Sequence, residues 1–342
     1  RPVAKQDTTV GVVGGGSWGT ALAAHLASSG VATQLWAREP EVVDGINDVH
    51  RNQLFLSDVD LPTSLTASAD LPAVIAGHDV IVSAVPVQFL RGTLDGVGGL
   101  ADVDTIVTVS KGIEVGTLQT PHHILVELGV PEDRIVALSG PSFAREVAAG
   151  RPTAVVAAGR DPGRVERVQQ LFSQGYFRVY GSDDIVGVEI GGALKNVVAL
   201  AAGVSDGLEL GDNTRAAIIT RGLAEITRLG VALGGNPATF SGLSGVGDLM
   251  LTSAGGLSRN RSVGLAIGRG RKLDEIRAEM HEVAEGVPTC RSATELAARV
   301  GVELPIAEQM YLLLYEDRDP REALDDLFGR ELRDERDEPS PA

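Results

Sequence analysis

The stretch VGVVGGGSWGTALAAHLASSG, residues 10–30, decides how the first part of this chain folds. It contains no aspartate, glutamate, lysine or arginine, as in an export signal or a membrane anchor, but three consecutive glycines interrupt the apolar run. A strand at 10–13, then Gly14-x-Gly16-x-x-Gly19, then an alanine-rich helix accounts for the pattern better. Such glycines permit a tight turn, a close approach to a pyrophosphate and close helix–strand packing. The stretch therefore predicts a dinucleotide-binding loop.

Length and composition indicate a folded chain with room for two domains. The chain has 342 residues, 43% of them apolar, and a mean hydropathy of +0.09. Its net charge of −16 argues against nucleic-acid binding, and no second stretch predicts a membrane span. The lone cysteine, Cys290, excludes an internal disulfide and fits the cytoplasm. The histidines show no metal-ligand spacing, and His122 and His123 are expected on a helix surface.

Short β-rich runs alternate with helical stretches in the first half of the chain. The predicted strands are 10–13, 32–36, 80–84, 106–109, 135–138, 153–158 and 177–180. The runs between 80 and 138 are continuously apolar, which is typical of parallel strands buried on both faces. The pattern predicts a doubly wound, Rossmann-like α/β domain over residues 1–188.

The second half of the chain predicts helices only. They are expected at 186–203, 214–231, 258–269, 273–281, 290–301 and 305–316. We therefore expect an all-α substrate domain over 189–330, with the site between the two domains. Residues 331–342 are rich in charge and contain Pro-Ser-Pro, which predicts a disordered tail.

Three of the apolar strands end in residues that would share one crevice. These strand ends are Val85-Pro86, Ser110-Lys111-Gly112 and Ser139-Gly140-Pro141-Ser142. Ligands of open parallel sheets bind beyond the carboxyl ends of the strands. Lys111 would project into that crevice, where a buried ammonium costs free energy unless it meets an anion. A surface lysine in a loop is the alternative.

The second strand is followed by Arg38 and Glu39, which bear on the choice of cofactor. Arg38 suits the 2′-phosphate of NADP or stacking on adenine, whereas Glu39 could hold the ribose hydroxyls of NAD. An exposed Arg–Glu pair at a helix start, with no role in binding, is the alternative. We expect NADP(H) to be preferred and NAD(H) to be accepted.

The predicted helical half contains a candidate proton donor, Lys195, within an otherwise apolar stretch from Val186 to Val204. Burial would lower the pKa of this lysine toward neutrality and make it a usable general acid, whereas a solvent-side lysine is the alternative. Asp248 lies among glycines and apolar residues, as a positioning carboxylate would. The run Ser258-Arg259-Asn260-Arg261 precedes a helix, which suits a grip on phosphate.

The motifs VGVVGGGSWGTALA, SKGIE, SGPSFAREVAAG, GALKNVVALAAGVSDG, GLSGVGDLMLT, SRNR and VAEGV occur in one order along the chain. In that order and spacing the chain resembles the bacterial-type NAD(P)-dependent glycerol-3-phosphate dehydrogenases over about residues 8–330. The resemblance implies reversible reduction of dihydroxyacetone phosphate to sn-glycerol 3-phosphate for glycerophospholipid synthesis, by a cytoplasmic homodimer. A ketopantoate reductase, a β-hydroxyacid dehydrogenase and a non-catalytic dinucleotide sensor are the alternatives.

The resemblance also implies roles for individual residues. Lys195 would be the proton donor, and Lys111 would contact both substrate and cofactor. The other substrate-binding residues would be Gly140, Ser142, Asp248, Ser258, Arg259 and Asn260. The other cofactor-binding residues would be Gly14, Gly16, Ser17, Trp18, Gly19, Arg38, Ala144, Arg259, Val283 and Glu285. Gly15 is often alanine in relatives, and this difference is expected to matter little.

Overall fold

The fold is described by a computed structural model that covers residues 8–280, 283–330 and 335. Its first half contains one eight-stranded sheet in the order β3-β2-β1-β4-β5-β6-β7-β8. The strands are β1 Thr9–Val13, β2 Ala32–Trp36, β3 Thr66–Ser68, β4 Val80–Ser83, β5 Thr105–Thr108, β6 Ile135–Ser139, β7 Thr153–Gly159 and β8 Phe177–Ser182. The seven predicted strands are confirmed, and only the three-residue β3 is additional.

Seven helices connect these strands, and most strand pairs are parallel. The helices are α1 Ser17–Ser28, α2 Pro40–Val49, α3 Leu71–Ala76, α4 Val87–Leu94, α5 Pro121–Glu127, α6 Ala144–Ala148 and α7 Pro162–Phe172. Only β6 and β7 run antiparallel. The order β2-β1-β4 reverses the direction in which strands are added, so a crevice opens beyond the carboxyl ends of β1 and β4. The doubly wound α/β prediction is confirmed.

The second half is helical and surrounds one central helix, α8, which spans Ile185–Gly207. Around it lie α9 Gly211–Ala232, α10 Pro237–Phe240, α11 Asp248–Ala254, α12 Arg259–Gly268, α13 Leu273–Ala278, α14 Gly286–Val300, α15 Pro305–Tyr315 and α16 Pro320–Phe328. α8 is long and apolar enough to cross a membrane, yet 94% of its most apolar window is buried in protein. A helix that is apolar all round belongs in a core.

Close packing on α8 depends on its small residues. A Cβ at Gly203 would lie 2.1 Å from the Arg261 carbonyl oxygen, so α12 crosses α8 nearly backbone to backbone. β8 ends at Ser182 and α8 begins at Ile185, so the predicted domain boundary near residue 188 falls in the first turn of α8. That division stays a prediction. The predicted tail at 331–342 lies outside the described residues, apart from Glu335.

The expectation that both histidines of the pair lie on a helix surface is wrong for His122. Its side chain is 1% exposed, and its Nδ1 lies 2.5 Å from Oε2 of Glu189 on α8. The backbone N–H of His122 also donates to Oε1 of Glu189, at 2.9 Å. Burial lowers the pKa of His122, but the nearby carboxylate outweighs it and the net shift is upward. His122 therefore ties α5 to α8.

A second buried acid, Glu225 of α9, caps the start of α15. Its Oε1 accepts the backbone N–H of Ile306 at 2.8 Å. Burial raises the pKa of Glu225 to about 7, although two backbone N–H groups favour its charged form. In the unfolded chain the same carboxyl would titrate near its ordinary value of 4.5. Stability should therefore depend on pH through this residue.

We expect the stabilising contribution of protonated Glu225 to be fully present below about pH 4.5 and lost as the pH rises through about 7. The free energy of unfolding of the wild type, minus that of Glu225→Gln, should fall by about 3 kcal/mol over this range. Denaturant titrations at several pH values measure the difference. Thr227→Ser, on the same helix α9, changes no ionisable group and is the control, for which the difference should not vary with pH. A constant difference for Glu225→Gln would contradict the prediction.

Candidate active site

The glycine loop between β1 and α1 is built so that only glycine fits at two of its positions. Gly14 has a φ of +125°, and a Cβ on Gly19 would lie 2.0 Å from the Gly14 carbonyl oxygen. Beside Gly16 there is open space within 4 Å of a Cβ position. α1 begins at Ser17 and has no side-chain cap at its N terminus. A helix start of this kind suits the pyrophosphate of a dinucleotide.

Gly15, the middle glycine of the loop, lies close to the residue that follows β2. A Cβ at this position would lie 2.6 Å from the Cβ of Ala37, which is closer than side chains pack. An alanine at position 15 would therefore require the backbone to shift.

Residues near the glycine loop fit the other parts of a dinucleotide. The Nε1 of Trp18 is buried and has no hydrogen-bond partner among the described residues, so it could donate to a bound ligand. Arg38 follows β2, next to the loop, and its side chain is 82% exposed. It forms an ion pair with Glu39 at 3.0 Å, so the two residues that bear on cofactor choice are in contact. An exposed pair opens at little cost.

The lysine–carboxylate cluster, Lys111, Lys195 and Asp248, lies where the sheet meets the helical half. Asp248 Oδ2 accepts from Lys111 Nζ and its Oδ1 accepts from Lys195 Nζ, both at 2.6 Å. Lys111 follows β5, Lys195 projects from α8 and Asp248 begins α11. The Lys111 ammonium also donates to the Gly140 carbonyl oxygen at 3.2 Å, and Lys195 donates to Thr252 Oγ1 at 2.8 Å.

Burial and neighbouring charge set the titration of this cluster. Burial lowers the pKa of Lys195 to about 8; the Asp248 carboxylate opposes that shift and the Lys111 ammonium adds to it. Burial alone would raise the pKa of Asp248, but the two ammonium groups hold it below its usual value. At neutral pH the cluster therefore contains a carboxylate and a lysine that can readily give up its proton. Such a lysine is suited to general acid catalysis.

The start of α12 lies beside this cluster and contains the predicted phosphate-binding run. Ser258 caps the helix, because its Oγ accepts the N–H of Arg261. Asn260 is buried, with its Nδ2 donating to Asn196 Oδ1 and its Oδ1 accepting from Gly286, both at 2.9 Å. These two side chains are bonded within the protein. The Arg259 side chain is exposed at the first position of the helix.

Two further predicted residues, Ser142 and Glu285, form hydrogen bonds near the ends of the strands. Ser142 Oγ donates to the Gly140 carbonyl oxygen at 2.9 Å, and Ala144 begins α6. The Glu285 carboxylate accepts the N–H of Val87, just beyond β4, at 3.3 Å. Burial raises the pKa of the Glu285 carboxyl, and the Arg259 guanidinium opposes that shift. The ends of β4, β5 and β6 lie together as the sequence predicted, because Ser110 Oγ donates to the Val85 carbonyl oxygen at 2.5 Å and Lys111 Nζ donates to that of Gly140.

One residue that contacts the cluster, Thr252, was not predicted from the sequence. Thr252 bonds Lys195 and lies four positions after Asp248, a helical spacing that could have indicated a shared face. Ser139 belongs to a strand end that the sequence placed at the crevice. Its Oγ is buried without a hydrogen-bond partner among the described residues, and a Cβ on Gly192 would lie 2.8 Å from it. Within the described part of the chain, no group of three or more His, Cys, Asp or Glu side chains could hold a metal ion.

Comparison with known proteins gives consistent results over both halves of the chain. Residues 9–164 match the family model for the N terminus of NAD-dependent glycerol-3-phosphate dehydrogenase, and residues 184–325 match the one for its C terminus. The glycerol-3-phosphate dehydrogenase [NAD(P)+] of Syntrophotalea carbinolica is 54% identical over 332 residues, covering 96% of this chain and 99% of that protein. That of Geobacter sp. strain M21 is 52% identical, covering 95% and 98%.

Solved structures extend the comparison to related folds. The glycerol-3-phosphate dehydrogenase of Coxiella burnetii aligns with a TM-score of 0.88 at 37% identity, covering 94% of this chain and 99% of that one. A ketopantoate reductase from Ralstonia eutropha aligns with a TM-score of 0.58 at 14% identity, covering 92% and 99%. The second likeness concerns the fold alone.

Proposed function

Because the chain belongs to the NAD-dependent glycerol-3-phosphate dehydrogenase family, we propose that the lysine–carboxylate cluster is the centre of its reaction. The chain is an NAD(P)-dependent oxidoreductase that reversibly reduces dihydroxyacetone phosphate to sn-glycerol 3-phosphate, the backbone precursor of glycerophospholipids. One observation carries the assignment to the cluster. A single buried carboxylate, Asp248, bonds the ammonium groups of Lys111 and Lys195 where the sheet meets the helical half.

In this proposal Lys195 moves the proton. The ketone oxygen of the substrate gains negative charge during reduction, and a nearby ammonium both stabilises that charge and donates a proton to it. In the oxidation direction the neutral amine of Lys195 takes the proton back from the hydroxyl. Asp248 holds Lys195 in place, and Lys111 adds a second positive charge beside the substrate.

The substrate phosphate would be held at the start of α12. The helix N terminus carries partial positive charge, and the Arg259 guanidinium lies at its first position. Ser258 and Asn260 would act mainly by fixing this helix start, because their side chains are bonded within the protein. Gly140 and Ser142 would close the opposite side of the substrate.

The cofactor would be held along the glycine loop and across the crevice. When bound, the nicotinamide ring supplies or accepts the hydride. The proposed contacts are Gly14, Gly16, Ser17, Trp18, Gly19, Arg38, Lys111, Ala144, Arg259, Val283 and Glu285. Two observations support this placement: Trp18 Nε1 is buried with no partner in the described part of the chain, and the start of α1 has no side-chain cap. The relatives are named as NAD(P)+ enzymes, and in this proposal NADP(H) is preferred and NAD(H) is also accepted.

Arg38 is the residue to which we assign that preference. Its guanidinium can form two parallel hydrogen bonds with the 2′-phosphate of NADPH, which NADH lacks. Arg38→Ala should lower kcat/KM for NADPH by about ten- to hundredfold and leave that for NADH nearly unchanged. Steady-state rates with both cofactors test this, with Glu39→Gln as the comparison. Equal losses for both cofactors would mean that Arg38 stacks on adenine instead.

The reaction itself is tested by substrate choice. The purified protein should oxidise NADPH, and more slowly NADH, when dihydroxyacetone phosphate is added. Ketopantoate and, in the reverse direction, 3-hydroxyisobutyrate are the controls, because they are substrates of dehydrogenases with similar folds. Turnover of either control in place of dihydroxyacetone phosphate would overturn the proposal. Cofactor binding without any turnover would favour a sensor.

We propose further that the chain is a cytoplasmic homodimer. The location is supported by a lone, buried and unpaired cysteine, Cys290, which suits a reducing compartment. The dimer is supported by the family resemblance alone. Sedimentation equilibrium of the purified protein tests it, and a mass equal to one chain at micromolar concentration would contradict it.

A further inference from the structure

One fully buried asparagine, Asn52, contacts the glycine loop from the segment between α2 and β3. Its Nδ2 donates to the Gly15 carbonyl oxygen and to Thr20 Oγ1, both at 2.8 Å. Thr20 Oγ1 itself donates to the same Gly15 oxygen at 3.2 Å. Two side-chain donors therefore converge on one carbonyl group in the middle of the loop.

The other polar atoms of Asn52 are bonded within its own segment. Its Oδ1 accepts the N–H of Phe55 at 3.1 Å, and its backbone oxygen accepts the N–H of Leu56 at 3.0 Å. The side chain thus donates two hydrogen bonds and accepts one, which an amide can do and a carboxylate cannot. Because its polar groups are already bonded, Asn52 does not serve as a ligand contact itself.

The direction of the Gly15 carbonyl matters for the loop. In a planar trans peptide the C=O and the following N–H point in opposite directions. Holding the Gly15 oxygen toward Asn52 therefore aims the Gly16 N–H the other way. At Gly16 there is open space where a Cβ would be. This space would let a pyrophosphate approach the backbone of the loop.

We propose that Asn52 is a positioning residue that, with Thr20, orients the Gly15–Gly16 peptide for the pyrophosphate of the cofactor. This inference rests on the proposed function, because it assumes that the glycine loop binds that pyrophosphate. It assigns a task in cofactor binding to the segment between α2 and β3, which the sequence analysis did not select. The lysine–carboxylate cluster is not involved.

The test measures binding of two cofactor fragments by calorimetry. ADP-ribose contains the pyrophosphate and AMP does not, and each is used in its 2′-phosphorylated form. In Asn52→Asp the donors are lost and a negative charge faces the Gly15 oxygen, so the Kd for the ADP-ribose form should rise about ten- to hundredfold. The Kd for the AMP form should stay unchanged, and kcat at saturating NADPH should remain near that of the wild type.

The matched control is Asn47→Asp, because Asn47 makes a similar pair of bonds elsewhere in the same domain. Its Nδ2 donates to the Ala67 carbonyl oxygen at 3.0 Å and its Oδ1 accepts the Ala67 N–H at 2.8 Å. Asn47→Asp should leave both Kd values unchanged. If Asn52→Asp does not fold, Thr20→Val and Thr20→Ser replace it; only the valine variant, which lacks the hydroxyl, should weaken binding of the ADP-ribose form.

Three outcomes would count against the proposal. A folded Asn52→Asp, or Thr20→Val in its place, with the wild-type Kd for the ADP-ribose form would overturn the role of Asn52. An equal rise for the AMP form would also overturn it, because the loss would then be general. If the wild type binds the AMP form but gains nothing from the added pyrophosphate, the assigned role of the glycine loop itself fails.

Discussion

Lys195→Ala is expected to abolish turnover while leaving cofactor binding intact. The lysine is buried, and its ammonium is bonded to Asp248 and Thr252. General acid catalysis contributes about 10²–10⁴ in rate, and lost stabilisation of the alkoxide adds to that. We expect kcat to fall by about 10³ or more. Single-turnover reduction of dihydroxyacetone phosphate and NADPH binding are the two measurements.

Lys272→Ala provides a matched control for this variant. Lys272 also pairs with an aspartate, Asp317, at 2.5 Å, but both of these side chains are largely exposed. Removing an exposed ammonium should change neither kcat nor NADPH binding. A folded Lys195→Ala that kept more than about a tenth of the wild-type kcat would refute the assignment, because general acid help is worth more than that.

Patterns of apolar residues predicted the fold where local signals were strong. The strands at 80–84, 106–109 and 135–138 are continuously apolar because the sheet covers both their faces, and each was found within a residue or two of the prediction. β3 was missed because this strand has only three residues, Thr66–Ser68, and two of them are polar. It lies at the edge of the sheet. α14 begins at Gly286, four residues earlier than predicted, because Gly-Val-Pro is a weak local signal for a helix.

The site could be predicted as a set of residues but not as a set of contacts. Lys195 and Asp248 were selected one at a time, and nothing in the sequence shows that residues 53 positions apart share a hydrogen bond. His122 was misjudged for the same reason, since its partner Glu189 comes from another helix. Asn52 could not be selected from the sequence, because polar residues are common in loops. Its importance follows only from its burial and its hydrogen bond to the Gly15 carbonyl oxygen.

Asp248→Asn should cost both stability and activity, because it removes the carboxylate that faces two buried ammonium groups. Breaking a buried ion pair by neutralising one partner typically destabilises by about 3–5 kcal/mol, and here two lysines lose their counter-charge. The amide can accept a hydrogen bond from one lysine, but its NH₂ group would face the other. We expect kcat/KM for dihydroxyacetone phosphate to fall at least about a hundredfold. Asp317→Asn, at the exposed pair with Lys272, should change neither quantity.

The pH dependence separates a charge effect from a general loss of structure. In the wild type, ketone reduction needs protonated Lys195, so its rate should fall as the pH rises through about 8, and glycerol 3-phosphate oxidation should rise over the same range. Without the Asp248 carboxylate, burial and the Lys111 ammonium both lower the pKa of Lys195, and the smaller effect of the Glu285 carboxylate remains to oppose them. The descending limb of the reduction profile should therefore move to lower pH in Asp248→Asn. A residual activity that kept the wild-type midpoint would mean that Asp248 holds the lysines in place without setting their charge.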